Sequence, residues 1–139
     1  MQIMSGSELQ SFFDTFLVCA GLPPENRQAL TNGEFFTDAH GTSWRLVITG
    51  EQENTTARPE LVLPISVFKM HGQEILHMFA LQGYLLAEMN WWLSANEKGF
   101  LKLTSTAWSN EPSETLSILD VARLIAPQIM QYIVSGKVQ

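Results

Sequence analysis

Three histidines, one cysteine and fourteen carboxylates are the side chains from which this 139-residue chain could build catalytic or metal chemistry. His71 and Glu74 stand three apart, a spacing that could begin a zinc site. A His-Glu-x-x-His pair on one helix, with a third ligand elsewhere, is what such a site requires, and neither His71 nor His77 completes one. His40, His71 and His77 therefore each read as turn or helix-surface residues. Cys19 could act as a nucleophile only with a nearby base or positive field to form the thiolate. It falls inside a helical apolar run, where a lone cysteine reads as a small buried hydrophobe. No Gly-x-Ser-x-Gly elbow occurs, and the glycines are too dispersed to cradle a phosphate. The carboxylates fall on polar faces and in loops. The expectation is a chain without catalytic residues, metal or cofactor, and so not an enzyme.

The bulk composition fits that expectation. Residues 1–139 are read as one domain, long enough to bury a core without staples. The chain is 45% hydrophobic and 16% charged, a globular balance. Its net charge is −6, and its eight Lys and Arg are scattered singly, which argues against nucleic acid or an anionic membrane as partner. One cysteine cannot form an intrachain disulfide. The opening Met1-Gln-Ile-Met-Ser-Gly6 lacks a basic segment followed by an apolar run, and no stretch approaches the roughly 18 apolar residues of a membrane span. A cytoplasmic protein with no membrane span is expected. Asn54-Thr-Thr56 matches a glycosylation acceptor, read here as chance.

The elements that must carry any binding surface follow from periodicity. Leu9, Phe12, Phe13, Phe16, Leu17 and Ala20 share one face of a helix from Ser7 to Ala20, with Ser7 and Gln10 spaced as a capping box and Gly21 then Pro23-Pro24 as the stop. A polar connection from Asn26 to Gly33, with room for a helical turn, leads to a short strand at Glu34–Asp38 and a turn at Ala39–Thr42. Ser43–Thr49 alternates as a second strand. Gly50–Pro59 reads as an irregular loop. Glu60–Lys69 is a third strand, with Pro64 marking an edge or a bulge. Gln73–Met89 is a helix, apolar nearly all round, so more than one side must be covered. Trp91–Trp108 is a hairpin turning at Asn96-Glu97-Lys98-Gly99. Ser113–Ser135 is a long amphipathic helix that Pro127 should kink or split. The fold class is α+β, a single domain in the order α-β-β-β-α-β-β-α, with a mainly antiparallel sheet and helices packed on it.

Fourteen aromatics run through these elements. They alternate with Ser, Thr and Glu instead of the Lys and Arg of an RNA-binding sheet. Most read as core, the rest as anchors of exposed protein-binding patches.

The order of elements and three local matches resemble the class I type III secretion chaperones. The matches are the amino-terminal helix closing in Ala20-Gly21-Leu22-Pro23, the strand-turn-strand Leu93-Ser-Ala-Asn96-Glu-Lys-Gly99-Phe-Leu101-Lys-Leu103, and the final amphipathic helix after an acidic, Pro-containing connection. The similarity spans nearly the whole chain in topology, and no single motif in it is specific. Pro127, the sparse charge and the Met and aromatic run in Gln73–Met89 depart from the family pattern. The resemblance implies a small bacterial cytoplasmic protein that holds a segment of a secreted effector in extended form. The alternatives it leaves open are a chaperone-like regulator binding another secretion-system or transcriptional-control component, and a fold relative with no link to secretion. It implies a homodimer, with a heterodimer open, through Leu81, Tyr84, Leu85, Met89, Trp91 and Trp92, residues that read equally as intrachain core. It implies client binding by Phe13, Phe16, Leu17, Phe35, Phe36 and Trp44.

Overall fold

The computed structural model describes residues 6–38, 41–51 and 54–137; Ala39 and His40 of the expected turn lie outside that range. The elements are α1 (Gly6–Ala20), α2 (Arg27–Thr31), β1 (Phe36–Thr37), β2 (Ser43–Glu51), β3 (Asn54–Ser66), α3 (Gly72–Met89), β4 (Trp91–Ala95), β5 (Phe100–Ser105) and α4 (Pro112–Ser135). Single 3-10 turns occupy Pro24–Asn26 and Val67–Lys69. The strands form one antiparallel sheet in the order β1-β2-β3-β5-β4. This is a single α+β domain in the anticipated order, with α2 as an added short helix.

Local chemistry explains most of the boundaries. Gly21, at φ +69°, ends α1 in a left-handed cap: Leu22 N–H donates to the Leu17 carbonyl at 2.9 Å and Gly21 N–H to that of Val18 at 3.2 Å. The described part of α1 begins at Gly6, which places Ser7 inside the first turn. Asn96 builds the β4–β5 turn, its side-chain oxygen accepting from Lys98 N–H at 3.0 Å and Phe100 N–H at 2.9 Å. Gly99 follows at φ +83°, under the Phe68 ring. At the start of α4, Pro112 takes the first helical position, and the Ser109 hydroxyl links Glu111 N–H at 2.9 Å to the Glu114 carboxylate at 2.6 Å.

Two sequence expectations are corrected, and one of two alternatives is excluded. The irregular loop at Gly50–Pro59 is largely strand: β3 begins at Asn54 and pairs with β2 in unbroken register from Glu51↔Asn54 to Ser43↔Val62. Thr49 and Thr56 face each other with hydroxyls 2.8 Å apart, and Ala57 is buried opposite Ile48. Cross-strand pairing overrode the polar composition of this stretch. The strand expected to reach Lys69 stops at Ser66, where the chain turns into Val67–Lys69. Pro127 does not split α4, which runs through it to Ser135. Pro127 costs the Arg123 carbonyl its helical donor, but Ala122, Ala126, Ile129 and Ile133 stay buried on either side of it. The bulge anticipated at Pro64 is present as a register shift between Val62 and Ser66.

The core lies between one face of the sheet and the helices α1 and α4. Alternation along the strands turns Trp44, Leu46, Leu61, Leu63, Trp91, Leu93, Leu101 and Leu103 inward, all buried. Phe12, Phe13, Phe16 and Leu17 of α1 and Leu119, Ala122, Ala126, Ile129 and Ile133 of α4 close over them. Phe16 bridges the layers, its ring 6.2 Å from Phe12 and 6.1 Å from Trp44. It is fully buried. Phe16→Ala is expected to lower unfolding free energy by about 3–5 kcal/mol, read from urea denaturation.

Candidate protein-binding surfaces

Helix α3 meets the rest of the chain on one side. Leu85 is buried, and Met78, Leu81 and Met89 are half-buried towards the core. His77 ties α3 to α4: its Nδ1 lies 2.9 Å from the Ile133 carbonyl, which fixes the proton on Nδ1, while Nε2 lies 3.2 Å from the Gln73 amide nitrogen. His77 is thus a structural bridge and not a plain surface residue. Opposite this side the helix is open. Leu76 and Phe79 are each 61% exposed and Leu86 44%, and Ala80, Gly83 and Ala87 lie exposed between them. These positions follow helical spacing and form one continuous apolar stripe. A Cβ added at Gly83 would meet nothing within 4 Å, so packing within the chain does not require glycine there. Beside the stripe, Tyr84, Leu81 and Met89 line a cavity of about 470 Å³ against Ile125, Ile129 and Tyr132 of α4.

The residues assigned to the dimer contact fall into two groups. Tyr84 and Trp92 are exposed, and Leu81 and Met89 are half-buried in the α3–α4 groove. Leu85 and Trp91 take the intrachain-core alternative, 1% and 2% exposed. Trp91 and Trp92 are neighbours on a strand, so alternation sends one inward and leaves the other outward at 52% exposure.

The residues assigned to client binding divide more sharply. Phe13, Phe16, Leu17 and Trp44 are all buried, which corrects their assignment to an open patch. The amphipathic face of α1 is wide because it must fill the space between the sheet and α4, leaving none of it for a partner. Phe36 is half-buried and stacks on Trp44 with ring centroids 4.7 Å apart. Phe35 is 46% exposed on the opposite side of the sheet, under the Arg45 guanidinium at 4.6 Å from its ring centre. The backbone of β2 is open where these side chains are not. β1 pairs only with Ser43 and Trp44 of β2, so Arg45–Glu51 stands on a sheet edge with no strand beside it among the described residues. β4 forms the other edge.

The titratable groups do not converge. Among the described residues no cluster of His, Cys, Asp and Glu could hold a metal. Glu74 accepts from His71 N–H at 3.0 Å, so this pair caps the start of α3. Cys19 is exposed, contrary to the expectation of burial, because the apolar face of α1 passes through Phe16 and Leu17 and leaves it with Val18 on the solvent side. No described helix is long and apolar enough to cross a membrane. Sequence reasoning missed the outer-face cations Arg45 and Arg58, the latter over Trp108 at 5.6 Å, since their meaning depends on strand register. Comparison with known protein families, curated proteins and solved structures finds no match to this chain.

The burial contrast gives a direct check. Phe13→Asp should abolish cooperative unfolding, because it places a carboxylate in the core. Phe35→Asp should change stability by under about 1 kcal/mol. Circular dichroism melts of the two variants measure this.

Proposed function

We propose that this chain is a non-catalytic chaperone of the type III secretion kind, which dimerises through α3 and holds a segment of a secreted effector in extended form. The observation that carries the reading is the apolar stripe of α3, Leu76-Phe79-Leu86 with small residues between, on a helix that the chain covers on one side only. Isolated exposed hydrophobes need no explanation, but a contiguous stripe of this kind is typical of a surface that a protein covers. Exposed Ala80, Gly83 and Ala87 allow a second helix to approach closely, and Tyr84 flanks the contact.

The free edge of β2 supports the second half of the reading. An extended segment added along Arg45–Glu51 would gain main-chain hydrogen bonds independent of its sequence, with Phe35 and Phe36 beside the edge for selectivity. A client held in that way stays threadable while its apolar residues are shielded, and equilibrium contacts suffice without ATP.

Light scattering at micromolar concentration should return about twice the chain mass of 15.6 kDa. The double variant Phe79→Asp/Leu86→Asp should return the single mass with an unchanged circular dichroism spectrum. A monomer in the wild type would sink the dimer. Identification by mass spectrometry of proteins captured from the source bacterium then decides the client. The amino-terminal segment of a secreted protein supports the chaperone, and an apparatus or transcriptional component supports the regulator.

A further inference from the structure

The outer face of the sheet carries a charge opposite to that of the whole chain. The net charge is −6, with eight Lys and Arg in all. Strand register puts Arg45, Arg58 and Lys102 on the face turned away from the helices, with Glu60 as the carboxylate among residues 43–49, 56–62, 92–94 and 102–104. Glu60 is 4% exposed and already engaged: Arg45 Nη2 lies 3.4 Å from both of its oxygens. Arg58 and Lys102 have no ion-pair partner among the described residues. Elsewhere Arg27 is held by Asp14 at 3.0 Å, and Arg123 by Asp38 at 2.8 Å.

The relief of this face suits a chain lying across it. A cavity of about 370 Å³ sits between Phe35 and the β4–β5 turn, with Glu97 and Lys98 on its rim. A second, of about 250 Å³, lies beside Trp92 and Arg58. Lys102 stands in the wall of both. Arg45 and Arg58 each lie over an aromatic ring, which holds the guanidinium plane in place for a planar carboxylate. From β2 to β4 is three strand spacings, about 14 Å. An extended segment of about four residues covers that span.

We infer that this face docks an extended acidic protein segment, with carboxylates on Lys102 and Arg58 and an apolar side chain against Trp92. This rests on the reading of the chain as a holder of extended segments and names the chemistry of the segment. A peptide can set uncharged residues opposite Glu60 and Glu97, whereas a continuous phosphate backbone would meet both.

The test is fluorescence anisotropy with the full-length chain and labelled peptides of about twelve residues. One alternates Asp with Leu, and a second has Ser in place of Asp; an oligo-dT of equal length is the third probe. At about 50 mM NaCl the acidic peptide should bind at least about tenfold more tightly than the neutral one, and the advantage should shrink at about 500 mM. Lys102→Gln, Arg58→Gln and Ser94→Glu should each reduce that advantage several-fold with unchanged melting curves. Equal binding of the two peptides, indifference to all three variants, or tighter binding of oligo-dT would each overturn the inference. Equal binding leaves the extended-segment reading standing, whereas failure of every peptide to bind removes both.

Discussion

Everything in this molecule depends on α1 and α4 sharing one face of a single sheet. The leucines of β3 and β5, at the centre of that sheet, lie under both helices, and Phe16 fills the corner where α1, the sheet and Trp44 meet. Two helices and one sheet face make a closed apolar interior. Once that interior is complete, no inward surface remains for α3. It is left on the flank, held by Leu85, by half-buried Met78, Leu81 and Met89, and by the His77 bond to the last turn of α4. The open stripe on α3 and the bare outer face of the sheet are both consequences of this allocation.

The same allocation separates two kinds of open surface spatially. The α3 stripe is purely apolar and its small residues favour close helix approach. The outer sheet face is polar, cationic and studded with exposed aromatics, and the β2 edge beside it offers unpaired backbone. Arg123 braces this frame by reaching from α4 to Asp38, after β1, with two hydrogen bonds of 2.8 and 2.9 Å. The brace fixes the short β1 that leaves most of β2 uncovered.

Much of the fold was legible in the chain. Helical spacing located α1, α3 and α4, alternation located β2 and the hairpin of β4 and β5, and Pro64 marked its bulge. The 54–59 segment was not legible, since Asn54, Ala57 and Pro59 disfavour strand alone and no apolar alternation runs through it; it becomes strand through pairing with β2. The candidate site was legible only in part. That α3 is apolar nearly all round could be read directly. That Phe13, Phe16 and Leu17 were core could not, because a wide apolar face on a helix looks the same whether a sheet or a partner covers it.

The sequence by itself determined the α+β order, the acidic balance, the lack of a recognisable catalytic motif and the unusual apolarity of α3, because these rest on local periodicity and composition. Only the tertiary structure decided which apolar faces were spent on the interior. It also decided that Trp91 turns in while Trp92 turns out, and that scattered cations gather on one sheet face. Those outcomes depend on strand register and on which helices win the single inner face, and both are set by contacts between residues far apart in the chain.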